Sequence, residues 1–222
     1  LAGSDSSRTL PTGTTLGIAG ESGSGKSTLI MSALRLLPKS AQIDGQVRLG
    51  GKDIKDLSFG EIRAVRWAQA SIVFQGALHS LNPVREVGGQ IIEALEHHAK
   101  GTWTTPEKRR NRMFELLEEV DLDKSKAVAY PHELSGGQKQ RIMIAMALAC
   151  EPDIIIADEP TTALDVIVQK QILEGLAKLV AERGISLLMI SHDLAVLSAV
   201  CKNLAIMRYG RLVEYGPSDQ VC

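Results

Sequence analysis

The 222-residue sequence lacks the features that commit a chain to the lipid bilayer, the secretory route or nucleic acid. No apolar run approaches the ~18 residues of a transmembrane helix, and the N-terminal stretch has no signal-peptide h-region, so any membrane association must run through a partner. Cysteine occurs three times, at Cys150, Cys201 and Cys222. The odd number and the absence of C-x-x-C spacing argue against a disulfide framework and for reduced thiols in a cytosolic setting, with Cys150 and Cys201 read as core residues. Basic side chains number 25 and acidic ones 26, a formal net charge of -1, and no long run of one sign offers a nucleic-acid stripe or a polybasic anchor. Aromatic residues are scarce, and none precedes Phe59. What is present is core material: 44% hydrophobic residues in a length that fits one large α/β domain or two small ones.

Gly20-Glu21-Ser22-Gly23-Ser24-Gly25-Lys26-Ser27-Thr28 has the pattern G-x-x-x-x-G-K-[ST]. It follows a short apolar stretch, 16–19, that reads as a strand, and precedes Leu29, Ile30, Ala33, Leu34 and Leu37 at helical spacing. Glycines let successive backbone N–H groups point at one anion, and the helix N-terminus adds its positive dipole end. Lys26 supplies a charge for β- and γ-phosphates, and the Ser27 hydroxyl is placed to coordinate Mg²⁺. A Gly/Ser-rich surface loop would also contain such residues, but not in this order between a strand and a helix.

Further along, 43–49 followed by Gly50-Gly51 reads as strand and turn, and 71–74 as a short buried strand ending at Gln75. From about Val87 to Val120 the periodicity is helical, with Thr105-Pro106-Glu107 as a helix start. Leu134-Ser135-Gly136-Gly137-Gln138 opens another apolar helix, which Pro152 stops. Ile154-Ile155-Ile156-Ala157 is a continuous apolar strand that delivers Asp158-Glu159 at its C-terminal end. A helix over 166–183 closed by Gly184, a strand over 185–191 ending at His192, and two strands around Tyr209-Gly210 complete the chain. Alternating β and α elements without an internal repeat predict a mainly parallel α/β core.

Four polar sites thus fall at strand C-termini: the loop 20–27, Gln75, Asp158-Glu159 and His192. In an open α/β sheet these ends converge on one crevice. Asp158 stands where a carboxylate would hold Mg²⁺, and Glu159 is suited to orient or deprotonate an attacking water. Gln75 alone is an ordinary loop residue and His192 alone a structural histidine; position gives them weight, and His192 could donate to a γ-phosphate oxygen.

Together these residues resemble the ATP-binding subunit of ABC transporters over nearly the whole chain. Leu134-Ser135-Gly136-Gly137-Gln138 matches that family's signature, and the other motifs follow in family order: Walker A at 20–27, Q-loop at Gln75, Walker B at 154–158 with Glu159, D-loop at Ala163-Leu164-Asp165 and switch histidine at His192. The resemblance implies a P-loop NTPase core with a β-subdomain and an inserted α-helical subdomain. The whole chain, 1–222, would be one ATPase domain with a helical insert at 76–133 and the signature helix, 134–150, adjoining it. It implies ATP and Mg²⁺ as cofactors. Gly20, Ser22, Gly23, Ser24, Gly25, Lys26, Ser27 and Thr28 would contact nucleotide in cis. Ser135, Gly136, Gly137 and Gln138 would complete the site of a second subunit, with Asp165 at the same interface. Ser27, Gln75 and Asp158 would serve the metal, and Glu159, His192 and Gln75 the chemistry. The implied partners are a second ATPase subunit, transmembrane permease subunits and, indirectly, an extracytoplasmic solute-binding protein, with no nucleic acid; the implied location is the cytoplasmic face of the membrane.

The stretches 74–84, 130–135 and 157–166 look like the dipeptide, oligopeptide and nickel importer branch, some members of which carry oligosaccharides. That branch usually continues past the position of Cys222, so Leu1 and Cys222 are read as cut or unrecorded ends. Rival readings are a soluble ABC-type ATPase of DNA repair or translation, which near-neutral charge and the lack of zinc spacing disfavour, and a non-catalytic nucleotide-binding module, against which Lys26, Asp158, Glu159 and His192 count together. Family members normally stack adenine on an aromatic upstream of Walker A. Without one before Phe59, the legible contacts go to phosphates and metal, which predicts weak discrimination between ATP and GTP.

Overall fold

A computed structural model describes residues 7, 9–38, 40–74, 80–98, 101–161 and 164–221, apart from the side chains of Trp67 and His98. A six-stranded sheet runs through its centre. In chain order its strands are β1 (Thr15–Ala19), β4 (Ala70–Val73), β5 (Ile154–Asp158), β6 (Ser186–Ser191), β7 (Asn203–Arg208) and β8 (Arg211–Pro217), while β2 (Arg48–Leu49) and β3 (Lys52–Asp53) form a separate hairpin. Across the sheet the order is β4-β5-β6-β1-β7-β8, parallel except for β8, which pairs antiparallel with β7 at the edge.

The continuous apolar runs are explained by burial on both faces. Ile155 and Ala157 face one core with Leu187, Met189 and Leu204, and Ile156 faces the other with Leu16, Ile18, Ile190 and Met207. Helix α1 (Lys26–Ala33) covers the second face through Ile30. On the first face lie α3 (Val87–His98), α4 (Pro106–Glu119), α5 (Gly136–Leu148) and α6 (Val166–Arg183), each contributing buried residues to one continuous core. Arg112 of α4 is buried among Glu119 at 2.9 Å, Glu115 at 3.2 Å and the Trp103 ring, and Arg183 of α6 also pairs with Glu119, which ties α4 to α6. Among the described residues no helix is long and apolar enough to cross a membrane.

Several expected bounds shift. The strand expected over 43–49 shrinks to Arg48–Leu49, because Gly45 sits at φ 94 and breaks the extended run. Helix α1 stops at Ala33, leaving Leu37 outside: Arg35 turns left-handed at φ 52, and the Leu36 N–H bonds the Met31 carbonyl at 2.8 Å, the six-to-one closure of a helix end. The helical region expected from about Val87 to Val120, with a helix start at Thr105, is the two helices α3 and α4; Gly101 at φ 93 lies between them, and Thr105 caps α4 as expected by accepting from the Lys108 N–H. Helices α2 (Phe59–Ala68) and α7 (Leu194–Val200) are additional to the elements read from the sequence, although Ser58-x-x-Glu61 is a capping box and Asp193 caps α7. Helix α6 keeps its expected bounds, with Gly184 at φ 65 closing it. Cys201 is buried and Cys150 half-buried, its thiol directed at the Ala94 carbonyl; burial pushes the two thiols up to about 12 and about 11, so both stay protonated. Cys222 lies outside the described residues.

Candidate nucleotide site

Strand β1 ends at Ala19, and the loop 20–25 carries the chain to α1 through left-handed Gly23 (φ 78) and Gly25 (φ 98), the latter being the N-cap of α1. Gly20 is required for space: a Cβ there would lie 2.2 Å from the Met207 carbonyl oxygen of β7. The loop is also pinned from outside, since the Gly210 N–H donates to the Ser24 carbonyl at 2.9 Å. Lys26 is buried, and its Nζ donates to the carbonyls of Gly20 at 2.6 Å and Glu21 at 2.7 Å, with the Ser24 hydroxyl at 3.4 Å. Burial lowers the Lys26 pKa, against the opposing fields of Glu159 and Asp158. The ammonium is therefore desolvated and, among the described residues, hydrogen-bonded to neutral oxygens, a state that a polyphosphate would relieve.

Asp158, the last residue of β5, is buried, and the Ser27 side chain lies near enough to favour its carboxylate. Burial pushes its carboxyl above the usual carboxylate value; Ser27 opposes that, Glu159 adds to it and Lys26 subtracts. Ser27 and Asp158 thus form an oxygen pair at the end of the sheet. Among the described residues no group of three His, Cys, Asp or Glu could hold a metal, so Mg²⁺ here would depend on this pair completed by phosphate and water. The hard-oxygen donor set fits that ion.

Glu159 lies one residue on, with left-handed backbone (φ 46) and its N–H donating to the Ile190 carbonyl of β6 at 3.0 Å. Its Oε1 is 3.0 Å from Nδ1 of His192, which follows β6 directly. A carboxylate only accepts, so this contact places the hydrogen on Nδ1; His192 then donates through Nε2 to an anion only as imidazolium.

The structure accordingly brings Lys26, Ser27, Asp158, Glu159 and His192 together at the C-terminal ends of the parallel strands. Ser22 is exposed on the loop, and Thr28 is half-buried in the first turn of α1. Gln75 and Ala163 lie outside the described residues. Ser135 is elsewhere: it is the exposed N-cap of α5, its hydroxyl accepting from the Gln138 N–H at 3.3 Å while its own N–H donates to Gln138 Oε1 at 3.0 Å. Gly136 and Gly137 form the first turn, and Gly137 lets α5 approach α6, since a Cβ there would meet Val168 Cγ1 at 2.6 Å. Asp165 caps α6 by accepting from the Val168 N–H at 2.9 Å, beside exposed Val166 and Ile167. Neither Ser135 nor Asp165 bonds to Lys26, Asp158 or His192. Sequence reasoning missed the Glu159–His192 pair and the Gly210–Ser24 tie, which link residues remote in the chain and leave no mark on local spacing.

A lysine-bearing anion loop on a parallel sheet, beside a hydroxyl–carboxylate pair, defines the P-loop nucleotide-binding class. A family model described as "ABC transporter" matches residues 4–162, and the chain belongs to that family. It is 41% identical over 213 residues to "Oligopeptide transport ATP-binding protein OppD" of Haemophilus influenzae, covering 96% of this chain and 66% of that protein. A "Putative peptide import ATP-binding protein" of Brucella abortus is 44% identical over 93% of this chain and 62% of its own. The chain thus spans slightly under two thirds of these relatives' length. Among solved structures, an ATP-binding cassette dimer in a post-hydrolysis state bound to ADP and Pi superposes with TM-score 0.85 at 30% identity, covering 98% of this chain and 90% of that one.

Proposed function

We propose that this chain is the ATP-hydrolysing subunit of an importer, most simply one for peptides, acting from the cytoplasmic face of a membrane on permease subunits supplied by a solute-binding protein. The observation that carries the catalytic part is the convergence of Lys26, the Ser27–Asp158 pair and the Glu159–His192 pair at the C-terminal ends of the parallel strands. The importer part rests on the names of relatives at 41% and 44% identity. A transported nickel complex or oligosaccharide is the second reading within the same branch, because the solute would be chosen by other subunits. A role in DNA repair or translation has the net charge of -1 against it.

The chemistry follows from the groups present. Lys26 would leave the Gly20 and Glu21 carbonyls for β- and γ-phosphate oxygens, while N–H groups of the loop and of the first turn of α1 bind the same anion. Ser27 and Asp158 would hold Mg²⁺, which would supply positive charge to offset the negative charge that builds on the leaving group. Glu159 would accept a proton from the water that attacks the γ-phosphorus as the bond to the β–γ bridging oxygen breaks, leaving ADP and phosphate. His192 would orient that carboxylate through Nδ1. Gln75 would sense the γ-phosphate and pass its state to the insert 76–133. Supporting a partner-facing surface there, exposed Val84 and Val128 flank the Val87–Ala129 backbone bond.

Exposed Ser135 and Asp165, standing apart from that group with apolar Val166 and Ile167 beside them, suit a second chain: head-to-tail, the Ser135 helix start of one subunit would close the γ-phosphate site of the other. Phosphate release and equilibrium nucleotide binding on the same sample test the catalytic assignment. Glu159→Gln should bind ATP as the parent does and turn over ~10²–10⁴ more slowly, because the amide cannot accept the proton; near-normal turnover would refute the role of Glu159.

A further inference from the structure

Helix α5 starts at the Ser135 cap and helix α6 at the Asp165 cap, so the inclination of one axis to the other sets how the two helix starts face a common partner. Near those starts the helices touch: a Cβ on Gly137 would meet Val168 Cγ1 at 2.6 Å. Half-way along α6 the fit is loose. A cleft lies between the helices among Ile144, Ile172, Leu176 and Leu179, and a Cβ on Gly175 would meet nothing within 4 Å. The close packing that ordinarily fixes such an angle is therefore missing at this point. What spans the gap is the C-terminal end of α4. The Arg141 guanidinium of α5 donates to the Val120 carbonyl at 2.7 Å and to Asp121 at 2.9 Å, while Glu119 Oε1 accepts from Arg183 of α6 and, at 2.9 Å, from Arg112 of α4 itself.

This network is poorly built for stability. Among the described residues, Glu119 Oε2 and Arg112 Nε and Nη2 are buried without a hydrogen-bond partner, and a half-satisfied buried ionic group is worse for stability than an apolar one of the same shape. Its product is geometry: bonded to both helices, the end of α4 is a strut that holds α5 and α6 at one inclination. We infer that Glu119 is a positioning residue for the shared nucleotide site. Its carboxylate, gripped by Arg183 and Arg112, keeps the axis of α5, and with it the N–H groups behind Ser135, aimed at the partner's γ-phosphate while Asp165 meets the same interface. The inference rests on the head-to-tail reading proposed above and adds to it the groups that fix the angle of the helix acting in trans.

The test takes Glu159→Gln as its parent, so that nucleotide persists, and reads the dimer dissociation constant from light scattering against protein concentration at saturating Mg–ATP. Glu119→Gln and Arg183→Gln should each weaken the dimer about tenfold, and together no more than either alone, because both cut the same tie. Mg–ATP affinity of the monomer should stay that of the parent. A stripped network, Arg112→Met with Glu119→Leu and Arg183→Leu, should melt at or above the parent temperature, since no charge is left stranded, yet dimerise as weakly as the single variants. Dimerisation that falls only in step with melting temperature marks a merely structural tie and overturns the proposal. Parent-like dimers in the stripped variant, or losses that add between the two single variants, overturn it as well. A parent that binds Mg–ATP without dimerising at any concentration refutes the head-to-tail reading itself, a failure distinct from these.

Discussion

Gly20 and Gly23 belong to one motif yet are needed for different reasons, so their alanine variants should separate. At Gly20 an added Cβ would stand 2.2 Å from the Met207 carbonyl oxygen, well inside the 3.0 Å below which real Cβ contacts essentially do not occur. The obstacle is backbone in the central sheet, so the loop must move away from β7, straining the Gly210–Ser24 hydrogen bond. Overpacking of this kind typically costs ~1–3 kcal/mol, and a fixed backbone obstacle puts Gly20→Ala at the upper end, about 3 kcal/mol. At Gly23 the added Cβ meets nothing within 4 Å, and only the left-handed φ of 78 opposes it, about 1 kcal/mol. For a domain of this size 1 kcal/mol moves Tm by roughly 2–4 °C, so Gly20→Ala should melt about 9 °C below the parent and Gly23→Ala about 3 °C below. Mg–ATP affinity should fall further in Gly20→Ala, because the displaced N–H groups no longer converge. Calorimetric melts of the ligand-free proteins, with titrations on the same preparations, decide the matter. A Gly20→Ala chain as stable as Gly23→Ala would refute the steric reasoning.

Asp158→Asn should raise the melting temperature of the ligand-free protein while abolishing Mg²⁺-dependent nucleotide binding, because burial works against the carboxylate in the fold. The pH dependence has the matching sign: with the folded pKa above the unfolded one, the native state holds an extra proton between the two, so ligand-free stability rises as pH falls through that window, and pH-resolved melts should lose this component in Asp158→Asn. Gly137→Ala should destabilise by about 1–2 kcal/mol, since its Cβ would meet Val168 Cγ1 at 2.6 Å, and Val168→Ala in the same chain should restore most of the loss; denaturant titration of the double-mutant cycle measures the coupling.

The parallel sheet was legible because its strands are buried on both faces, which forces unbroken runs such as Ile154-Ile155-Ile156-Ala157. Helix α6 was equally plain, since Asp165 and Gly184 cap its two ends with residues that have little other use in such positions. The short elements were not. The end of α1 turns on Arg35 adopting a conformation that usually selects glycine, which no pattern announces. Helices α2 and α7 carry caps at Ser58 and Asp193 but run only 10 and 7 residues, too short for periodicity to stand out. At the site, sequence order placed Lys26, Asp158, Glu159 and His192 at strand ends, and a parallel sheet then brings such ends together. The bond between Glu159 and His192 depends on the register of β5 against β6 and on the left-handed backbone at Glu159, both tertiary facts.

The shared site is tested most directly by light scattering on Glu159→Gln chains with and without Mg–ATP. This variant should be monomeric alone and dimeric with nucleotide, and Ser135→Arg added to it should keep nucleotide binding but abolish the dimer, because on the proposed reading Ser135 would close the partner's nucleotide site. A chain that binds Mg–ATP tightly yet stays monomeric at high protein concentration, or one that dimerises equally with Ser135→Arg, would contradict the account.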